Sequence, residues 1–402
     1  MGGIGPQAGI RMVHVIRLCC GNRNKIMNMR TSILASFTVA ALAALLLTGC
    51  ERKKDMTGRP VEFSAEIYCS DPFSRSGLPQ TRVAYGVESG TSQAINWMDG
   101  DMITIYCAKC DGKKSALYGV QDIEVASTDN MDSYAGIENA ESDGEGLQWG
   151  TGQHTFYAVY PGVTTGAGST ISGKDITGSI PAIQTAGTIS GTDNKTVSPD
   201  MKNMYMVSKA GTYEPDASPV TLIFQPLTTV LEFTVTNKFD DTGSAMNVSS
   251  ISLISDHHAL DGGFSVDMDQ SGLYGRPKTT LAYGLAATGH NKVTLNFSPS
   301  VSIAHDRTLT FTFFLNPGNT ADQVNDLTFE IKGTNAGTSA PFTRRAMLKD
   351  KDDHGVIFKT HKKTRVTGIM VPEGVQWTVN YSDPIVAYWK TGIDDEDLQL
   401  EP

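Results

Sequence analysis

Short segments in which apolar and polar residues alternate recur along the chain, separated by glycine, proline, asparagine and serine. Alternation with period two places every second side chain on one face of an extended strand, so each segment predicts a half-buried β-strand. These segments are rich in Val, Ile, Thr, Phe and Tyr, which fit a pleated surface. The predicted strands are 61–67, 102–107, 155–160, 204–208, 220–224, 229–236, 249–254, 263–268, 292–297, 308–315, 327–332, 365–371 and 375–381.

Many short strands separated by turns predict packed antiparallel sheets. The chain has 402 residues, enough for roughly two domains. We expect a boundary near residue 225, because "FQPLTTVLEF" carries a proline between two strong strands. The prediction is an all-β fold with one domain over 50–225 and another over 226–402. The Gly/Ser/Thr-rich stretches 162–173 and 187–196 are predicted to be exposed loops.

One long apolar run, residues 31–47, follows "MNMR" and ends in "LTGC". A retained membrane anchor is one interpretation, although a spanning helix needs about 20 apolar residues. The small residues before Cys50 resemble the lipobox of bacterial lipoproteins. That resemblance implies cleavage before Cys50 and a diacylglycerol on its thiol, which with further acyl chains gives a durable membrane anchor.

The segment 27–49 is therefore expected to be a lipoprotein signal peptide. Residues 1–26 fit no export signal, and we expect them to be an unstructured upstream extension. The natural start would then be Met27 or Met29.

The charge balance and the motifs exclude several function classes. The net charge is −10 and no basic face is visible, which argues against nucleic-acid binding. The sequence has no strained nucleophile elbow, no phosphate-binding glycine loop and no zinc-protease HExxH motif. We therefore expect neither an enzyme nor a bound cofactor.

Two other motifs are candidate metal or redox sites. "CAKC" (107–110) has ligand spacing but lacks a second pair to complete a zinc site. Its thiols are predicted to be structural, with a local disulfide as the alternative, since an exported chain meets oxidising conditions. His257 and His258 are adjacent, so their side chains are expected to point apart and not to share a metal.

Two acidic stretches begin like calcium loops, "DMDQSG" (267–272) and "DKDDHG" (350–355). A calcium loop needs a glutamate at its twelfth position, where this chain has Lys278 and His361. Both stretches are predicted to be turns.

A series of landmarks in a fixed order carries a family resemblance. The landmarks are Cys50, "VEFSAEI" (61–67), "TRVAYG" (81–86), "WMDGDMITIY" (97–106), "FYAVYP" (156–161), "SIPAIQ" (179–184), "FQPLTTVLEFTVTN" (224–237), "ISLIS" (251–255), "LDGGFSVD" (260–267) and "PIVAYW" (384–389). Over roughly residues 50 to 390 the chain resembles the fimbrillin family, exported lipoproteins of the Bacteroidales that form type V pili.

The resemblance implies two transthyretin-like antiparallel β-sandwich domains in tandem. It also implies that a trypsin-like protease removes the first strand, 61–67, by cutting after Arg82. Arg75 is the rival site, Arg59 precedes the strand, and an uncleaved lipoprotein is the remaining alternative. A donor strand from the next subunit would fill the uncovered groove. The candidate donor residues are Pro384, Ile385, Val386, Ala387, Tyr388 and Trp389, followed by an acidic tail.

The predicted function is a structural or adhesive subunit of surface fimbriae, anchored to the outer membrane until assembly. Its expected partners are other pilin subunits, the processing protease, the membrane and surface ligands. The alternative is a glycan-binding β-sandwich lipoprotein that does not polymerise and that uses Trp97, Trp149 or Trp377 as sugar platforms.

Overall fold

The structure is a computed structural model. It describes residues 55–67, 84–89, 92–121, 134–162, 170–238, 244–271, 277–281, 289–316, 323–324, 326–348, 356–357, 363–371 and 374–378. By internal contacts the chain divides into residues 1–54 and residues 55–402, and every described residue belongs to the second unit. Within these ranges the only helical element is a 3-10 turn, Met201–Asn203. None of the described residues form a helix long and apolar enough to cross a membrane.

Strands account for nearly all the regular structure, which confirms the predicted all-β class. Those that begin before residue 228 are β1 (Phe63–Ile67), β2 (Ala84–Ser89), β3 (Ser92–Asn96), β4 (Met102–Tyr106), β5 (Ser115–Gln121), β6 (Tyr134–Asn139), β7 (His154–Tyr160), β8 (Thr170–Ser172), β9 (Asp175–Ile180), β10 (Ile183–Thr185), β11 (Ile189–Ser190), β12 (Lys195–Val197), β13 (Met206–Tyr213) and β14 (Val220–Pro226).

The later strands are β15 (Thr229–Asn237), β16 (Met246–Ile254), β17 (Gly262–Ser271), β18 (Pro277–Leu281), β19 (Lys292–Ile303), β20 (Thr308–Leu315), β21 (Gln323–Val324), β22 (Thr328–Asn335), β23 (Pro341–Met347), β24 (Val356–Ile357), β25 (Lys363–Val371) and β26 (Gly374–Thr378). Each predicted strand overlaps one of these. Alternating burial explains the agreement, as in β4, where Ile103 and Ile105 are buried between half-buried neighbours.

Seven strands form a closed, hydrogen-bonded ring in the order β1-β14-β13-β7-β4-β5-β6. Ring closure depends on β1, which pairs with β14 on one side and with β6 on the other. The interior of this barrel is filled by aromatic and aliphatic side chains, among them Phe63, Trp149, Phe156 and Phe224.

Two further sheets share one apolar core and form a sandwich. Their strand orders are β10-β19-β16-β22-β23 and β11-β12-β20-β15-β25-β26. Phe233 and Phe311 of the second sheet meet Phe329 of the first, with Phe233 stacked on Phe311 at 5.5 Å and tilted against Phe329 at 5.6 Å between ring centroids. A predicted sandwich core is thus present in the later part of the chain.

The five strands between residues 170 and 197, β8 to β12, are not part of the barrel and belong to other sheets. β8 and β9 form a four-stranded sheet with β17 and β18, while β10 and β12 add in parallel to β19 and β20. The prediction that 162–173 and 187–196 are only loops is therefore wrong where β8, β11 and β12 form. β8 and β11 are edge strands with no buried residue, whereas β12 lies between β11 and β20 and places Val197 in the sandwich core.

The predicted domain boundary at residues 225 and 226 stays a prediction. Val230 and Phe314, which follow it in sequence, pack in the core of the barrel.

Candidate functional site

The seam around β1 is the candidate functional site, because β1 closes the barrel. Its pairing with β14 is parallel and aligns Phe63 with Val220 and Ile67 with Phe224. Its pairing with β6 is antiparallel and aligns Phe63 with Ile137. β1 is therefore an internal strand with hydrogen-bonded neighbours on both sides.

The side chains of β1 follow the alternation predicted from the sequence. Phe63, Ala65 and Ile67 are buried in the barrel, and Ala65 is 0% exposed. The Phe63 ring meets the rings of Tyr118 and Phe156 edge to face, each at 5.1 Å between centroids. The inward face of β1 thus presents a large, a small and a large apolar side chain in that order.

The outward face of β1 is joined to β14 by a side-chain hydrogen bond. Ser64 is buried and its Oγ donates to Thr221 Oγ1 at 3.2 Å, across 157 positions of sequence. This contact agrees with the parallel register, in which Ser64 lies opposite Thr221.

The segment that enters β1 is also held by backbone pairing. Gly58 N donates to Trp149 O at 2.7 Å, Trp149 N donates to Arg59 O at 2.8 Å, and Val61 N donates to Leu147 O at 2.9 Å. Hydrogen bonding to the rest of the barrel therefore begins several residues before β1.

The residues predicted for processing and assembly are not among those the structure describes. Arg82, Arg75, the lipidation site Cys50 and the donor strand 384–389 all lie outside the described ranges. Arg59 is described and is exposed before β1. In sequence, Arg82 falls between the end of β1 and the start of β2, and its role stays a prediction.

Two tryptophans considered as sugar platforms are buried. Trp97 is 0% and Trp149 is 1% exposed. Trp97 packs edge to face against Tyr160 and Phe224, and Trp149 packs against Phe156. The prediction that they could serve as exposed platforms is wrong, because their faces are occupied by the barrel core.

The two adjacent histidines do not point apart. His257 Nδ1 lies 2.9 Å and His258 Nδ1 lies 3.3 Å from the carboxylate of Asp326. The Ser255 hydroxyl donates to both oxygens of this carboxylate at 2.9 Å. Burial raises the pKa of Asp326, but hydrogen bonds from Ser255 and from His257 outweigh it and hold the pKa below the usual range. The expectation failed because residues 256–258 form a bend after β16, in which both imidazole rings reach the same carboxylate.

Most of the first acidic stretch lies in β17 and not in a turn, which corrects the prediction for 267–271. Its carboxylates are paired with lysines: Asp267 with Lys174, and Asp269 with Lys209 at 2.6 Å. The second stretch, 350–355, lies outside the described ranges. The described residues contain no group of three or more His, Cys, Asp or Glu side chains that could hold a metal ion.

Sequence reasoning predicted β1 and β14 as strands but missed β6. The weak alternation of "YAGIEN", with Ala135 and Ile137 buried, is the signal that could have indicated it.

No protein-family model matches the chain, and no curated protein matches it. Among solved structures, it aligns with a candidate cell adhesion protein from Bacteroides ovatus at 12% identity and a TM-score of 0.44, covering 80% of this chain and 96% of that one. It aligns with a fimbrial protein from Bacteroides vulgatus at 11% identity and a TM-score of 0.38, covering 79% and 98% of the two chains.

A fimbrial assembly protein from Parabacteroides distasonis aligns at 12% identity and a TM-score of 0.29, covering 79% of this chain and 93% of that one. The matched proteins are thus described as cell adhesion and fimbrial proteins of Bacteroides and Parabacteroides. At these identities and TM-scores the alignments carry no argument about the role of this chain.

Proposed function

We propose that this chain is an exported, non-enzymatic subunit of a surface fimbria, and that β1 is a provisional strand replaced during assembly. The observation that supports this proposal is the position of β1, which closes a hydrogen-bonded ring between β14 and β6. Because β1 precedes the other six strands of the barrel in sequence, it can be removed by one cut that leaves those strands intact.

Removal of β1 would leave a specific acceptor. The facing edges of β14 and β6 would expose unpaired backbone groups, which are a template for another strand. The volume vacated by Phe63, Ala65 and Ile67 would open an apolar cleft. Burying a phenylalanine or isoleucine side chain contributes about 1.5–3 kcal/mol, and each regained backbone hydrogen bond contributes about 0.5–1.5 kcal/mol. Binding of a replacement strand with a similar apolar pattern is therefore strongly favoured over an empty cleft.

Proteolysis after Arg82 would make the exchange feasible. Before the cut, β1 is covalently tethered to the rest of the barrel, so after leaving β14 and β6 it rebinds at a high effective concentration. After the cut, the segment before Val83 is held only by noncovalent contacts. A donor strand on a neighbouring subunit can then compete with it.

The candidate donor matches the acceptor in one register. Alternation places Ile385, Ala387 and Trp389 on one face of an extended strand. Their order is large, small and large, as in Phe63, Ala65 and Ile67. We propose that Ala387 takes the place of Ala65, where the barrel leaves no exposed surface.

The lipid on Cys50 belongs to the same proposal. It would hold the precursor at the outer membrane, and cleavage after Arg82 would release the assembled subunit from its anchor. The partners in this proposal are other pilin subunits, a trypsin-like protease and ligands on host or bacterial surfaces.

Limited trypsin digestion of residues 51–402 tests the cleavage. We expect a stable core that begins at Val83 and then forms high-mass polymers by size analysis. The variant Arg82→Ala should remain uncut at this position and monomeric, whereas Arg75→Ala should behave as the wild type. A protected core that retains 61–67 and stays monomeric would overturn the proposal.

A pair of charge variants tests the donor register. After cleavage, Ala387→Glu should stay monomeric, because its carboxylate would have to enter the apolar cleft. Val386→Glu, one residue away on the opposite face, should still polymerise. If instead Val386→Glu stays monomeric and Ala387→Glu polymerises, the face of the donor that carries Val386 enters the cleft. Polymerisation of both variants would place the donor strand elsewhere in the chain.

A further inference from the structure

Cys107 and Cys110 form a close pair in the turn between β4 and β5. Both are free thiols, and each is 1% exposed. Their side chains contact each other, with the Cys110 thiol hydrogen-bonded to the Cys107 sulfur. The pair is buried in the barrel core among apolar side chains.

The surroundings of the pair distinguish the two sulfurs. The hydrogen bond from Cys110, with backbone N–H groups of Lys109, Cys110 and Thr155, outweighs burial and lowers the pKa of Cys107 to about 6. The hydrogen bond to Cys107 and burial raise the pKa of Cys110. In the folded barrel the Cys107 thiol therefore has the lower pKa of the two.

The turn itself is held on one side by the segment around Trp149. Asp111 N donates to Gln148 O at 2.9 Å. A Cβ on Gly150 would lie 2.0 Å from Lys109 O, so only glycine fits against the turn. These contacts fix the backbone of the short turn that carries both cysteines.

We propose that Cys107 and Cys110 are a modification site and form an intrachain disulfide when the chain folds in the presence of a small-molecule or protein disulfide. One of the two cysteines, as its thiolate, attacks one sulfur of the external disulfide and forms a mixed disulfide, releasing one external thiolate. That thiolate takes the proton of the other cysteine, whose sulfur then attacks the first cysteine's sulfur and expels the second external thiolate, which is protonated by solvent. Two cysteine thiols are oxidised to one disulfide, and the external disulfide is reduced to two thiols.

Burial of the two sulfurs requires that disulfide exchange precede closure of the barrel. Since both sulfurs are inaccessible in the closed barrel, the exchange takes place before β4 and β5 close against β7. Once formed, the disulfide is shielded from external reductants. The inference concerns the turn alone and is independent of strand exchange at β1.

Peptide mapping tests this directly, because Lys109 lies between the two cysteines. Residues 51–402 are denatured, reduced and refolded with oxidised and reduced glutathione, and then free thiols are alkylated in denaturant before trypsin digestion. We expect the peptides 83–109 and 110–113 to remain joined, with their summed mass lowered by two hydrogens. Cys69 should be alkylated in the same sample.

Two controls sharpen the result. Reduction before alkylation should separate the two peptides, and Cys107→Ser should leave Cys110 alkylated. Alkylation of both Cys107 and Cys110 in the refolded wild type would overturn the proposal. A disulfide from either of them to Cys69 would overturn it as well.

Discussion

The side-chain amide of Gln184 makes hydrogen bonds to both backbone polar groups of Phe314. Gln184 Nε2 donates to Phe314 O at 2.5 Å, and Gln184 Oε1 accepts from Phe314 N at 3.1 Å. Gln184 lies on β10 of one sheet of the sandwich and Phe314 on β20 of the other. β12 pairs with β20 only at Leu309 and Thr310, so farther along β20 this amide takes the place of a strand.

We expect Gln184→Leu to destabilise the protein by about 2 kcal/mol or more, because leaving a buried backbone group unpaired costs about 1–3 kcal/mol. The neighbouring variant Ile183→Ser is the control: Ile183 is 65% exposed, so its free energy of unfolding should change little. Urea unfolding of both variants measures the difference. Equal stabilities would show that Phe314 finds other partners.

Phe63→Ala should reduce the free energy of unfolding of the barrel by about 3–5 kcal/mol, the usual cost of deleting a buried phenylalanine ring. The ring fills the space between Tyr118 and Phe156, and Trp149 packs against Phe156. Tryptophan fluorescence during denaturation should therefore report the loss. Glu62→Ala, at the exposed position before Phe63, should change stability by less than about 0.5 kcal/mol. A Phe63→Ala midpoint equal to that of Glu62→Ala would contradict the packing role.

Gly150→Ala should be destabilising, by about 1–3 kcal/mol or more, because its Cβ would lie 2.0 Å from a backbone oxygen. Gly211→Ala is the matched control, since a Cβ there has no atom within 4 Å. Thermal unfolding of the two variants should separate them clearly. A wild-type melting temperature for Gly150→Ala would mean that the turn at Lys109 shifts freely.

Glu330 should make stability depend on pH in the acid range. The carboxylate is 1% exposed and is paired with Lys332 at 3.1 Å, Lys292 at 3.3 Å and Arg345 at 2.5 Å. Burial raises its pKa, but these cations outweigh burial and lower the pKa from 4.5 to about 2. The folded state therefore gains stability above pH 4.5, and this gain is lost as the pH falls towards 2.

The shift corresponds to at most about 3 kcal/mol, and solvent screening of the half-exposed cations reduces it to about 1–2 kcal/mol. Glu330→Gln should lose this amount at pH 7 and show a flatter stability profile between pH 5 and pH 2, measured by chemical denaturation. Glu214 is exposed, so the control variant Glu214→Gln should keep the wild-type dependence of stability on pH. Parallel profiles for Glu330→Gln and the wild type would exclude the ion cluster as the cause.

The sequence by itself determined the all-β class and the position of most long strands. In β15 and β20, for example, alternation of apolar side chains with threonine marks the buried face of each strand directly. It also marked Phe63, Ala65 and Ile67 as one face of β1. These predictions succeeded because strand alternation reports whether a side chain is buried, which is a local property of the chain.

Only the tertiary structure decided which strands pair. The parallel alignment of Ser64 with Thr221 joins positions 157 residues apart, and nothing in either segment specifies the other. The sequence likewise does not specify that the Gln184 amide meets Phe314. There a polar side chain from a short strand hydrogen-bonds the backbone of β20 in place of a neighbouring strand. Backbone hydrogen bonds are chemically identical in every strand, so partner choice depends on how the side chains of distant segments fill a shared core.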